Sequence, residues 1–179
     1  MSSNEQDSQS QSPLVSGRPI DRSGSNWRHS SLTIGVSCEI GGLDRDREFG
    51  YYACGLCYGT PQRDFLFPDG SIAHNPPELY KDRDDVVLNP VLFIEVLSPT
   101  TQDYDRGEKF RRYRRFPTLR DYLVVHQNSI FIEHYSWNPD GSWTVREYRG
   151  ADAVVPLPNV RSELHLGRAY DRLFDDLDD

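Results

Sequence analysis

A single carboxylate inside an apolar run constrains this chain more than any other feature. Residues 89–99 read NPVLFIEVLSP, so Glu95 is flanked by large aliphatic and aromatic side chains. A short run of this composition predicts a β-strand buried on both faces. Burying an unpartnered carboxylate costs several kcal/mol, so Glu95 is expected to be paired, protonated or bound to a metal. We favour a divalent cation as its partner.

A second carboxylate, Asp69, lies near the middle of the apolar segment 65–73. Neighbouring strands can bring Asp69 and Glu95 to one cation, and ligation by oxygen alone favours a hard ion such as Mg²⁺, with Mn²⁺ as the alternative. Asp69 also fits a different role, in which it opens an Asp-Gly turn after Pro68. The residues alone leave both interpretations open.

Length and composition predict one folded domain with polar ends. Residues 1–25 are rich in Ser, Gln, Asn and Asp, so we expect a disordered leader there, followed by a domain at 26–174 and an acidic tail at 175–179. The leader lacks a basic segment followed by an apolar one, and no later apolar run approaches the roughly 20 residues of a membrane span. The expected location is the cytoplasm, with no membrane partner.

The charge distribution bears on nucleic-acid binding. The formal net charge of −8 argues against a phosphate-rich partner. Residues 105–120, however, contain seven basic and two acidic residues, while the C-terminal end is strongly acidic. This basic segment could contact DNA, or it could be an ordinary solvated helix face.

Periodicity and turn signals predict an α/β or α+β fold on one mixed sheet. We expect a helix over 26–40 capped by Ser25 or Asn26, and a basic helix that starts near residue 105 and closes at Pro117. The remaining elements are predicted as a strand over 51–58 with its hairpin partner over 65–73, the central strand, a strand over 121–125, a hairpin formed by 130–137 and 142–149, and a terminal helix over 164–173.

The basic helix also carries candidate catalytic groups. Asp105, Lys109 and Tyr113 recur every four residues and therefore share one helix face. Beside a metal held by the two acids, Lys109 could stabilise charge on a phosphorus centre or help activate the attacking water, which is the chemistry of phosphodiester hydrolysis. The alternatives are an ordinary ion pair between Asp105 and Lys109 and a core position for Tyr113.

The order and spacing of several motifs resemble the Uma-two family of restriction endonucleases, a branch of the PD-(D/E)XK nuclease superfamily. The resemblance runs from about residue 24 to residue 173. Its densest stretches are FPD at 67–69, residues 89–101, YDRGEKF at 104–110, YRR at 113–115, DY at 121–122 and PDGSW at 139–143. Any one of these is weak, but their combination is specific.

The resemblance implies a restriction-endonuclease-like core in which Asp69 and Glu95, on adjacent strands, bind the metal. The backbone carbonyl of Val96 adds a ligand. The superfamily places its lysine two residues after the acid, where this chain has Leu97; Lys109 on the next helix takes that role, as in other Uma-like proteins. DNA phosphates would contact the arginines of the helix, namely Arg106, Arg111, Arg112, Arg114 and Arg115.

The same resemblance implies accessory positions around the catalytic groups. His29 matches a histidine that Uma-like proteins usually carry near the cleft, where it could bind metal through water or orient a phosphate. A histidine near a helix start can equally be a surface or cap residue. Asp105 and Tyr113 are further accessory candidates. Two positions depart from the family pattern: Gly35 stands in place of an asparagine, and His126 where an acid is common.

The sequence thus predicts a metal-dependent DNA endonuclease with Asp69, Glu95 and Lys109 as its catalytic residues. One alternative is a catalytically weak or inactive relative that binds nucleic acid or protein on the same scaffold. Another is a structural oligomer whose acids accept hydrogen bonds within the sheet. A homodimer is compatible with an endonuclease, because two strands must be cut.

Overall fold

The structure, a computed structural model, describes residues 14–15, 18–19, 26–41, 48–53, 56–60, 64–81, 83–97 and 105–174. Within the predicted leader, β1 (Leu14–Val15) pairs antiparallel with β2 (Arg18–Pro19). The rest of that leader and the predicted tail at 175–179 lie outside the described residues.

The remaining elements alternate between helices and strands. The helical segments are α1 (Trp27–Gly41), a π-helical turn (Asp105–Lys109) that continues into α2 (Phe110–Tyr113), a 3₁₀ turn (Pro158–Val160) and α3 (Leu166–Phe174). The strands are β3 (Phe49–Ala53), β4 (Cys57–Gly59), β5 (Phe65–Leu66), β6 (Gly70–His74), β7 (Val86–Val87), β8 (Pro90–Leu97), β9 (Asp121–His126), β10 (Phe131–Trp137), β11 (Trp143–Arg149), β12 (Val154–Leu157) and β13 (Ser162–His165).

One six-stranded sheet organises the fold, with strand order β11-β10-β9-β8-β6-β3. The central pair β8 and β9 is parallel, and every other pair in this sheet is antiparallel. A parallel pair needs a crossover connection, and the segment containing the π-helical turn and α2 provides it. The predicted α+β fold with a mixed sheet is confirmed.

The two faces of the sheet bury different side chains. On one face, α1 and α3 pack aliphatic residues such as Leu32, Val36 and Leu173 against β8 and β9. Gly35 belongs to this contact, because a Cβ there would lie 2.4 Å from the carbonyl oxygen of Ala169 on α3. The glycine thus permits close helix packing. The opposite face, under α2, has a largely aromatic core.

The first helix forms where the sequence predicts it. The side-chain oxygen of Asn26 accepts a hydrogen bond from the backbone N–H of His29 at 3.0 Å, which satisfies one of the free donors at the helix start. The helix ends at Gly41. In the part of the chain that the structure describes, no helix is long and apolar enough to cross a membrane.

The predicted antiparallel pairing of 51–58 with 65–73 is confirmed, but each of the two segments is divided into two short strands. Two short strands, β3 and β4, replace the first of these segments, and they pair with different partners: β3 with β6, and β4 with β5 and β7. The second segment is divided at Pro68 and Asp69, where proline has no N–H to donate to a strand ladder. This division leaves Asp69 immediately before β6.

Two helix predictions also need correction. The basic helix is shorter than expected: α2 ends at Tyr113. The residues that follow it form turns, in which the N–H groups of Arg115 and Phe116 donate to carbonyls three residues earlier at 3.2 and 3.0 Å. Its first turn is π-helical rather than α-helical. The terminal helix starts at Leu166 rather than at Leu164, since Ser162–His165 pairs with β12 instead.

Candidate active site

Glu95 lies on β8 at the centre of the sheet, with 1% of its surface exposed. Its two carboxylate oxygens have different partners. Oε1 accepts a hydrogen bond from the hydroxyl of Tyr113, and Oε2 lies 2.6 Å from the Nζ atom of Lys109. Both oxygens accept from donors, which is the arrangement of an ionised carboxylate paired with an ammonium.

Asp69 lies immediately before β6, the strand next to β8, and its side chain contacts β8 directly. Its Oδ2 atom accepts a hydrogen bond from the backbone N–H of Val96 at 2.9 Å, and the same oxygen lies 3.1 Å from Nε2 of His29. The Asp69 side chain retains 25% exposure. Asp69 therefore contributes more than a turn. Its partly accessible carboxylate is hydrogen-bonded to Val96, the residue that follows Glu95.

Lys109 enters the site from the π-helical turn. Its Nζ atom lies 2.6 Å from Glu95 and 3.4 Å from Oδ1 of Asp105, and its side chain is 17% exposed. Asp105 is itself buried. The predicted shared face of Asp105, Lys109 and Tyr113 is thus observed, and it points into the protein. π-helical turns are rare and occur frequently at functional sites.

Electrostatics couple these groups. Burial raises the pKa of Glu95 well above its ordinary value, and the negative charges of Asp69 and Asp105 add to this rise, although the Lys109 ammonium opposes it. Burial alone would lower the pKa of Lys109, but the surrounding carboxylates, Glu95 first, outweigh burial and raise it. Lys109 therefore keeps its proton at neutral pH.

The pKa of Asp69 is shifted in the opposite direction to that of Glu95. Burial would raise its pKa, but the hydrogen bond and charge of His29, the charge of Lys109 and the Val96 N–H together hold that pKa below its ordinary value. Two neighbouring carboxylates thus differ in electrostatic environment, and Asp69 is the more readily ionised. The structure also places His29 beside Asp69, one of the two predicted catalytic acids.

A second polar cluster lies on the same sheet face. Glu95 of β8 and Glu133 of β10 both stand opposite Val124 of the intervening strand, so the two acids share one row. Arg106 binds Glu133 at 2.7 Å, and Nε2 of His126 lies 3.0 Å from the same carboxylate. Arg106, one of the arginines predicted to contact DNA phosphates, therefore pairs with a buried acid of the sheet.

Glu133 was not among the predicted site residues, although the sequence carries a signal for it. Like Glu95, it is an acid within a strand of large side chains, FIEHYSW at 131–137. Its partner Arg106 lies 27 positions away in the chain. Lys109 and Arg106 thus pair two acids of one sheet row from the same helical turn, and together they fix that turn on the sheet.

Glu133 provides a test of this anchoring. Burial would raise its pKa, but hydrogen bonds from His126 and Arg106 and the charge of Arg106 lower it from 4.5 to about 2. A lowered native-state pKa stabilises the fold fully above pH 4.5, and this stabilisation is lost as the pH falls towards 2. Glu133→Gln should lower the free energy of unfolding at pH 7 by about 3 kcal/mol.

Urea unfolding of the wild type and Glu133→Gln at several pH values measures this effect. The difference between the two proteins should shrink steadily below pH 4.5. Glu147→Gln is the matched control, because Glu147 stands opposite Glu133 on β11 but is exposed; it should change stability by less than about 0.5 kcal/mol. A Glu133 effect that stays constant with pH would contradict the assignment.

The other predicted DNA-binding arginines lie on the outer side of the helix and the turn that follows it. Arg111 lies 3.5 Å from Glu108, while Arg112 and Arg115 approach Asp64 at 3.6 and 3.0 Å. Arg114 is exposed. The inward face of this short segment therefore contacts the buried acids, and its outward face presents arginines at the surface.

The sheet order, the acid immediately before β6, the acid on β8 and the lysine from the crossover segment define a restriction-endonuclease-like fold. A crystal structure titled as a putative nuclease belonging to DUF820, from Anabaena variabilis, has the same fold: it aligns with a TM-score of 0.69 at 15% identity, over 88% of each chain.

The chain belongs to the Uma2 family, described as "Putative restriction endonuclease", whose model matches residues 3–169. Two relatives come from Synechocystis sp. The protein slr1290 is 34% identical over 120 residues, which are 67% of this chain and 57% of that relative. The protein sll1609 is 28% identical over 156 residues, which are 84% of this chain and 86% of that relative. This chain thus spans little more than half the length of slr1290.

Proposed function

We propose that this protein is a metal-dependent DNA endonuclease, with Asp69, Glu95 and Lys109 as its catalytic residues. The observation that carries the proposal is the closeness of these three side chains. Lys109 lies 2.6 Å from Glu95, and Asp69 accepts a hydrogen bond from the backbone N–H of Val96, the residue directly after Glu95. Membership of a family described as restriction endonucleases supports nucleic acid as the substrate.

The residues present suit a magnesium ion better than a metal held entirely by side chains. Among the described residues, no group of three or more His, Cys, Asp or Glu side chains could hold a metal. Mg²⁺ is commonly bound by one or two carboxylates while it keeps several waters. Asp69 and Glu95 supply two carboxylates, and the Val96 carbonyl is the proposed third ligand. Mn²⁺ has similar preferences for oxygen ligands.

The bound metal would supply Lewis-acid polarisation of the phosphate and a water of lowered pKa. In the hydrolysis, a water oxygen attacks phosphorus and one P–O ester bond breaks, which leaves a phosphate monoester and an alcohol. Because Lys109 keeps its proton, we assign it the stabilisation of the developing negative charge rather than the role of general base. Tyr113 orients Glu95, and His29 orients Asp69.

Cleavage of supercoiled plasmid DNA with Mg²⁺, with Mn²⁺ or with chelator tests the proposal. The wild type should cut with either metal and not with chelator. Asp69→Asn should lose about a hundredfold or more of this activity, since it removes a ligand charge while an amide oxygen can still accept from Val96. Asp85→Asn is the control, because Asp85 is an exposed, ion-paired aspartate on the surface.

One observation favours a second candidate, a nucleic-acid-binding relative without cleavage activity. Glu95 is 1% exposed and both of its oxygens are occupied, so Lys109 neutralises it without any metal. Such a protein would bind DNA equally with and without Glu95 and would cut in neither case.

We also propose that the nuclease is a homodimer, because both strands of a duplex must be cut. Sedimentation of the protein with and without DNA would test this.

A further inference from the structure

An open groove of about 540 Å³ lies on the outer side of α2. It is bordered by the turn after α2 and by the hairpin of β10 and β11. No residue lining this groove is acidic in the part of the chain that the structure describes. Its polar and aromatic lining consists mainly of Arg111, Arg114, Arg115, Arg120, Trp137 and Trp143.

The groove is positively charged even after its nearby acids are counted. Arg111 and Arg115 have acidic neighbours, the exposed Glu108 at 3.5 Å and the half-buried Asp64 at 3.0 Å. For Arg114 and Arg120, no ion pair with a described acidic residue is found within 4.0 Å. Arg120 donates instead to the carbonyl oxygens of Pro117 and Leu119, which leaves its charge uncompensated. Such a surface attracts an anion in spite of the negative net charge of the chain.

The same groove has flat π surfaces. The guanidinium of Arg120 lies 4.4 Å from the ring centroid of Trp137. Trp137 stands directly opposite Trp143 on the neighbouring strand, so both indoles are on one sheet face. Trp143 in turn contacts the ring of Phe110, the residue after Lys109, at 5.2 Å between centroids. Trp143 and Phe110 meet edge to face. A nucleobase can pack on a plane of this group, since bases stack on both indole and guanidinium planes.

The groove also lies close to the catalytic acids. The backbone N–H of Arg120 donates to the carbonyl of Val91 at 2.8 Å, and Val91 precedes Glu95 by four positions on β8. Four residues of a strand span about 13 Å. This is about the rise of four nucleotides in one DNA strand. A strand held in the groove could therefore pass the site of hydrolysis within a few nucleotides.

We infer that this groove binds an unpaired nucleobase together with the phosphates on either side of it. The inference rests on the proposed nuclease function and narrows its substrate to nucleic acid with a single-stranded region beside the cleaved bond. Arginines alone would bind the phosphates of a duplex as well as those of a single strand. In a duplex, however, neighbouring bases already cover the base faces, so a stacking platform set among arginines has its use with an unpaired base.

Binding in the presence of chelator tests this inference separately from cleavage. Fluorescence anisotropy would compare labelled oligo(dT), oligo(rU) and a blunt duplex, each of about 12 nucleotides per strand. Wild type should bind the single strands at least about tenfold more tightly than the duplex. Trp137→Leu and Arg120→Gln should each weaken single-strand binding about tenfold, and Trp137→Leu should change duplex binding by less than about twofold.

Trp27→Leu is the matched control, because Trp27 is an exposed indole stacked on Arg28 at 4.8 Å, far along the chain on α1. It should leave every affinity unchanged. Equal binding of single strand and duplex, or tighter binding of a labelled poly-glutamate peptide, would overturn the inference. So would wild-type affinity in both groove variants, even if the protein cuts plasmid DNA. If both groove variants lose single-strand binding but neither they nor the wild type cleave DNA, the inference about the groove stands and the proposed nuclease function fails.

Discussion

Glutamine in place of Glu95 is expected to abolish metal-dependent cleavage while the protein stays folded. The side chain keeps its shape, and its amide oxygen can still accept a hydrogen bond from Tyr113 or Lys109. The negative charge that would hold the metal is lost. A metal contributes several kcal/mol to transition-state stabilisation, so the cleavage rate should fall by about a thousandfold or more.

Plasmid cleavage and thermal unfolding measured on the same preparations check this prediction. Glu147→Gln is the matched control, since Glu147 occupies the same row of the sheet as Glu95, through Glu133 and Val124, but lies exposed on β11. It should cleave like the wild type. If Glu95→Gln lowers the melting temperature and leaves cleavage unchanged, Glu95 is a structural acid and the nuclease assignment fails.

The buried position of Glu95 could be predicted, because the sequence shows a charged residue within an apolar run. One acid in a run of aliphatic and aromatic residues must have a partner, and the strand proved to be central and fully buried. The pairing of β6 with β8 was also within reach, since Asp69 offered a second acid for the same site. Local pattern thus located both carboxylates.

The contacts that give these acids their properties were harder to predict. The π-helical turn differs from an α-helix by one residue in its hydrogen-bond spacing, a distinction that periodicity around Gly107 does not resolve. Glu133 escaped notice because its partner Arg106 comes from another element and is set by tertiary packing. The division of segment 51–58 likewise depends on strand partners far along the chain. Each of these features is decided by nonlocal contacts.

Methionine in place of Lys109 should have the second large effect, on both activity and stability. The variant removes the ammonium 2.6 Å from Glu95 and so removes the proposed stabilisation of the transition state. Loss of one such donor commonly lowers the rate by about a hundredfold to a thousandfold. It also leaves Glu95 buried without its cation, which should lower the free energy of unfolding by about 3–5 kcal/mol at pH 7.

The two effects can be separated in the double variant Glu95→Gln/Lys109→Met. Removing both charges of the pair should restore much of the stability that Lys109→Met loses, because no buried carboxylate is left unpaired at Glu95. It should restore no cleavage. Lys81→Met is the matched control, as Lys81 is the other lysine of the chain and is exposed in a turn.

The direction of the pH dependence gives an independent check on Lys109→Met. Without the ammonium, the pKa of Glu95 should rise further above its ordinary value, since burial and the charges of Asp69 and Asp105 are then unopposed by Lys109. A raised native-state pKa favours the protonated protein, so the stability of this variant should increase as the pH is lowered below 7, relative to the wild type. If the lost stability is the same at all pH values, or if the double variant cuts DNA, Lys109 does not act through Glu95 as proposed.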